Sequence, residues 1–157
     1  MEGITGMTDR DNDRKNGETK IQDPVTYAVI GAAQKVHSAL GPGFVEATYH
    51  NALMKELALQ EIPFDSQREF DVYYEGTRCG TYRPDLVIEN RVIVELKAVA
   101  DICKEHRMQT ISYLKASSLP TALLINFGAP SLEFRRLGNK SIPPMNQDQS
   151  PESKESP

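Results

Sequence analysis

The chain has 157 residues, enough for one ordinary domain, with 39% hydrophobic and 25% charged residues and a formal net charge of −4. No apolar run approaches the length needed to span a bilayer, and the N-terminus lacks the apolar stretch of a signal peptide. Membrane-embedded and secreted classes are therefore set aside in favour of a cytoplasmic protein. The two cysteines, Cys79 and Cys103, fit no metal-ligand spacing and no disulfide framework, so they read as structural thiols in a reducing compartment.

Residues 1–23 hold only Met and Ile as large apolar types, and residues 141–157 are rich in Pro, Ser, Gln and Glu. Neither segment can bury enough apolar surface to offset the entropy of ordering it, so both are predicted to be disordered tails. One domain over residues 24–140 remains. The tails carry six acids against four bases and three acids against one, which leaves thirteen of each charge in the domain. A neutral domain can still bind a phosphate backbone where its bases cluster, with modest and salt-sensitive affinity.

The first predicted element is a helix from about Pro24 to Leu40, capped by Asp23 with Pro24 in its first turn. Val25, Val29, Ala33, Val36 and Leu40 fall along one face. Gly41-Pro42-Gly43 stops it. A second helix runs from about Phe44 to Gln60, with Val45, Tyr49, Ala52, Leu53 and Leu57 as its apolar stripe, and Pro63 follows it. Strands are predicted over Phe64–Tyr74, Thr77–Ile88 and Val92–Ala98, with turns at Glu75-Gly76 and near Asn90. A third helix takes Asp101–Ala116, broken at Leu119-Pro120. Thr121–Asn126 suits a buried strand and Leu132–Leu137 an edge strand. The order implies an α/β domain, a mixed β-sheet flanked by helices, with a crossover returning the strand after the third helix parallel to a neighbour.

Pro84-Asp85 is followed, after nine intervening residues, by Glu95-Leu96-Lys97. Alternation along a strand puts Glu95 and Lys97 on one face, with Val92, Val94 and Leu96 on the other against a helix layer. If the turn is the three residues Glu89-Asn90-Arg91, Ile88 pairs with Val92 and Asp85 falls opposite Glu95. Facing Cβ atoms lie roughly 4.5–5.5 Å apart, a separation at which two carboxylates repel unless a cation sits between them. An all-oxygen set suits Mg2+ or Mn2+, and the lack of nearby Cys or paired His argues against zinc. A two-residue turn would send Asp85 and Glu95 to opposite faces. The plainer alternative is a strand-end acid beside a same-face ion pair.

Two flanking patterns bear on that choice. Glu46 opens the second helix, where the dipole alone would favour an acid, yet it lies beside the apolar stripe within Gly43-x-x-Glu46-x-x-Tyr49. His106, Gln109 and Tyr113 form one polar stripe on the third helix, although His106 alone reads equally as a surface histidine and Tyr113 alone as core.

Over about residues 24–137 the chain resembles the GxxExxY family of the PD-(D/E)xK nuclease superfamily. The resemblance is carried by LGPGFVEATYHNAL (40–53), YRPDLVIENRVIVELKAV (82–99), HRMQTISYLKAS (106–117) and LLINFGAP (123–130). It implies a restriction-endonuclease-like core in which Asp85, Glu95 and Lys97 are catalytic. Glu46, Asp85, Glu95 and the Leu96 carbonyl would hold Mg2+ or Mn2+. Gln109-x-x-x-Tyr113 resembles the QxxxY motif of the RecB-like branch; Gln109 and Tyr113, with His106, would bind substrate. The implied partner is nucleic acid, DNA ahead of RNA, with no membrane involved and an oligomeric state that stays open and includes a homodimer. A catalytically silent binding module that keeps the fold is the competing expectation.

Overall fold

The computed structural model describes residues 23–141. The two predicted tails lie outside these residues except for Asp23 and Ser141. Helix α1 spans Pro24–Leu40, α2 Glu46–Leu59 and α3 Lys104–Ser117. The strands are β1 (Phe64–Asp65), β2 (Phe70–Tyr74), β3 (Thr77–Tyr82), β4 (Leu86–Ile88), β5 (Val92–Lys97), β6 (Thr121–Asn126) and β7 (Glu133–Gly138).

The start of α1 is fixed by its own sequence. The Asp23 carboxylate accepts from Val25 N at 2.9 Å and pairs with Arg91 at 2.7 Å, so this residue belongs to the fold rather than to a tail. At the other end Gly41 takes φ +69°, and its N–H donates to the His37 carbonyl at 2.8 Å. The expected apolar face is the buried one: Val25, Val29, Ala33 and Val36 enter the core, and Leu40 packs at its margin.

Five strands form a mixed sheet in the order β1-β4-β5-β6-β7, and β2 and β3 form a separate hairpin. β5 and β6 are parallel and are joined through α3, as the crossover predicts. Strand parity divides the interior. Leu86, Ile88, Val92, Val94, Leu96, Leu123 and Ile125 face α1 and α2, whereas Val87, Ile93 and Ala122 face Leu114 of α3. The domain is therefore a sheet between two helical layers, with β5 and β6 at its centre.

Three sequence expectations are corrected. The segments Phe64–Tyr74 and Thr77–Ile88 are not continuous strands. The chain pairs in the main sheet at β1, leaves it for the hairpin, and returns at β4. Pro84, buried at the return, has no N–H for a ladder, which is one physical reason the second segment breaks. Val45 is not part of the α2 stripe: it is the extended N-cap residue and is 70% exposed. The cysteines, read as structural thiols, are not packed in the interior. Both are exposed, and Cys103 caps α3.

The end of β6 is pinned beside the end of β5 by fully buried Asn126. Its Oδ1 accepts from Val99 N and Gly128 N, and its Nδ2 donates to the Val99 carbonyl at 2.9 Å. Gly128 is pressed so closely here that a Cβ would overlap backbone atoms of Val99 and Ala98. Gly128→Ala is expected to cost about 2–3 kcal/mol, read as a lower urea midpoint at unchanged slope.

Candidate active site

The tight Gly41-Pro42-Gly43 turn ends in an anchor. The Tyr49 hydroxyl accepts from Phe44 N at 3.1 Å and donates to the Gly41 carbonyl at 2.5 Å. Its ring, fully buried, stacks on Phe127 with centroids 4.7 Å apart. The tyrosine three residues after Glu46 thus fixes the chain just before Glu46 and sets where that acid leaves the first turn of α2. Removing the hydroxyl in Tyr49→Phe forfeits both bonds and leaves Phe44 N unpaired, an expected loss of roughly 1–2 kcal/mol in thermal or denaturant unfolding.

The turn between β4 and β5 has the three residues on which the sequence argument depended. Ile88 pairs with Val92 and Leu86 with Val94, and Glu89 and Asn90 take positive φ to close it. Extending that register one step places Asp85 opposite Glu95. Asp85 Oδ2 accepts from Leu96 N at 2.7 Å, which locks the aspartate across the end of β5. Its carbonyl contacts His50 Nε2 at 3.1 Å. His50 stands one helical turn after Glu46, so α2 and the Pro84-Asp85 segment are tied together beside the acids.

Glu95 is the electrostatic centre. It is 9% exposed, and its Oε2 has no hydrogen-bond partner. Burial first, and then the charge of Asp85, push its carboxyl from the ordinary 4.5 up to about 8, against the pull of the Asp85 N–H and Lys97; Glu46 adds to the rise. Glu46 is raised as well, by lost hydration and then by Asp85, with Lys97 and His50 opposing. These mutual effects place Glu46, Asp85, Glu95 and Lys97 in one neighbourhood. On its other side Tyr113 packs against Tyr82, with centroids 3.9 Å apart and ring planes tilted by 36°. Burial, then Glu95, raise both phenols. The Tyr82 hydroxyl is a second buried polar atom without a partner.

The remaining helix residues are placed differently. His106 Nδ1 accepts from Cys103 N at 3.1 Å, which makes it part of the α3 cap and leaves Nε2 to carry its proton. Gln109 is exposed on the same stripe, and no hydrogen bond among the described residues joins it to the acids. His50 and Tyr82 were not singled out in the sequence. The signal for His50 was its i+4 spacing from Glu46; Tyr82 had none beyond lying three residues before Asp85.

Among the described residues no three His, Cys, Asp or Glu side chains converge as a ready-made metal cage. The donor chemistry nevertheless fits a hard divalent cation. All the candidate ligands are oxygens, the carboxyls oppose one another's ionisation, and a buried Glu95 oxygen lacks any donor. Asp85 Oδ2 is turned onto the β5 backbone, where it accepts from Leu96 N.

Neither the curated proteins nor the solved structures contain a match to this chain. A family model described as the PD-(D/E)XK nuclease superfamily matches residues 23–137. That span runs from the cap of α1 through β7 and contains every acid of the site, together with Lys97 and Tyr113. By this match the chain belongs to the PD-(D/E)XK nuclease superfamily.

Proposed function

We propose that this protein is a divalent-metal-dependent nuclease of the GxxExxY type that hydrolyses phosphodiester bonds in nucleic acid, DNA ahead of RNA. The observation that carries this reading is Glu95, buried with an unpartnered oxygen, facing Asp85 across a three-residue hairpin with Lys97 on its own face. A merely structural acid gains nothing from that placement.

Glu46, Asp85, Glu95 and the Leu96 carbonyl would hold one or two Mg2+ or Mn2+ ions. A strand residue directs its N–H and C=O to the same neighbour, so the Leu96 carbonyl opens towards Asp85, past the last paired residue of β4. Such an ion, when bound, supplies Lewis acidity towards water and positive charge towards a phosphate. Lys97 orients the attacking water and stabilises charge developing on the phosphate. Tyr113 and Gln109 position the nucleotide, with the free Nε2 of His106 as a further donor. The free, exposed cysteines suit the reducing cytoplasm. No helix among the described residues is long and apolar enough to cross a membrane.

The test is cleavage of single-stranded, double-stranded and branched substrates by the purified protein with Mg2+ or Mn2+. Absence of cleavage on all three, or activity undiminished by Lys97→Ala, overturns the enzyme reading. Nucleic-acid binding that needs no divalent ion and survives Asp85→Asn would instead identify a silent module, the reading that the neutral charge of residues 24–140 favours.

A further inference from the structure

We propose that the β2–β3 hairpin is a stacking arm that receives the bases of single-stranded nucleic acid leading to the acid cluster; this rests on the nuclease reading and names its substrate class. Directly opposed residues of an antiparallel pair share a face. Phe70 opposes Tyr82, and Val72 opposes Gly80. The pairing shifts between Val72 and Tyr73, where β3 carries the extra residue Cys79; β2 keeps its alternation, so Tyr74 continues the face of Phe70 and Val72. A line of rings therefore begins at Tyr113, passes to Tyr82 at 3.9 Å and to Phe70 at 5.8 Å, and runs outward past Val72 to Tyr74.

The inner part of this line is covered by α3, and the outer part is not. Phe70 is buried against Leu114, whereas Val72 is 42% and Tyr74 71% exposed. Between them Gly80 leaves the face bare, since a Cβ there would meet nothing. From Phe70 to Tyr74 the arm reaches about 13 Å. Stacked bases rise about 3.4 Å each, so the outer ring would meet a base roughly four nucleotides from the root. The root lies in the site wall: Tyr82 packs on the cluster of Val87, Ile93 and Leu114, and Ile93 shares its face of β5 with Glu95.

Charge decides which polymer fits. Arg78 is compensated by Asp71 at 3.6 Å and Arg83 by Glu69 at 3.7 Å. Arg68 lies over the inner Phe70 ring, 4.9 Å from its centroid, and no arginine of the hairpin shares the face of the outer Tyr74 ring. A face so neutral cannot grip a duplex through its phosphates, but flat rings accept any unpaired base. The exposed rings Tyr73 and Tyr74 point to opposite faces, so neither face offers the broad apolar patch that a protein partner would cover.

The chain has no tryptophan, so Tyr74→Trp places a single reporter on the outer ring without removing its aromatic face. Binding is read with calcium as the divalent ion, using an oligothymidylate or oligouridylate of about 20 nucleotides and a matched duplex. We expect quenched emission with both single strands and little change with the duplex. Tyr74→Ser in the full chain should bind the single strands roughly tenfold more weakly at an unchanged unfolding midpoint. A shallow salt dependence should accompany both. Silent emission while the wild type binds and cleaves single strands overturns the arm and leaves the nuclease reading standing. Equal quenching by duplex overturns the single-strand assignment. A wild-type dimer that Tyr74→Ser converts to monomer assigns the face to a second copy instead. A wild type that neither binds nor cleaves any nucleic acid fails at the nuclease reading and takes the arm with it.

Discussion

Replacing Lys97 with alanine is expected to lower phosphodiester cleavage about 10²–10³-fold in kcat at saturating Mg2+, with little change in KM or in the unfolding midpoint. The fold does not depend on this side chain: Lys97 ends β5 half-exposed, and the backbone on either side is held by β6 pairing and by its carbonyl accepting from Phe127 N at 2.8 Å. Its charge, by contrast, enters the balance at both Glu46 and Glu95. A cation held among three acids is placed to meet negative charge as it develops on a phosphate. Lys97→Arg should recover only part of the rate, because a planar fork does not reproduce a compact ammonium in the same space. A loss confined to KM would show that Lys97 only binds substrate and would remove it from the chemistry. Steady-state rates on one defined oligonucleotide distinguish the two.

Glu95→Gln is expected to abolish cleavage and, with chelator present, to stabilise the protein at alkaline pH. The direction follows from linkage. With a carboxyl raised from 4.5 to about 8, the folded protein holds a proton that the unfolded chain releases. The resulting stability is fully present below pH 4.5 and is lost as pH rises through about 8. Glutamine carries no such proton. The variant should therefore match the wild type near pH 4.5 and exceed it by about 2–4 kcal/mol near pH 8.5. Added Mn2+ should close that gap by stabilising the wild type alone, with release of a proton near neutral pH. Parallel denaturant titrations across this range are the measurement, and a difference that does not vary with pH would show that Glu95 is ionised without help. The substitution keeps the shape of the side chain, so a folding defect at low pH is not expected.

Much of this site could be read from the chain because it rests on short-range geometry. The parity of β5 separates Glu95 and Lys97 from Val94 and Leu96, and the odd-length turn at Asn90 sets Asp85 against Glu95; both follow from alternation within a few residues. The buried face of α1 and the apolar run of β6 were equally local. What escaped depended on partners. Phe64–Tyr74 has strand character throughout, but nothing in it says that Phe64 pairs with Ile88 while Phe70 pairs with Tyr82. His50 acquires its role only from the Asp85 carbonyl, 35 residues away. Val45 looked like helix interior until its extended backbone placed it before the first turn. Cys103 was read only as a structural thiol and His106 as a substrate contact, whereas the start of α3 brings them together.

The break at Pro84 also separates two design problems. Below it, β4 and β5 hold a fixed register; above it, β2 and β3 pair only with each other. The hairpin can therefore be lengthened or trimmed without disturbing the acids, within the limits of its own pleat. Adding or removing two residues from each strand moves the outer tyrosine nearer or farther and keeps it on the same face. Changing each strand by one residue turns it to the opposite face. Chain length in this segment would then act as a ruler for the strand delivered below it, adjustable in steps of about two nucleotides.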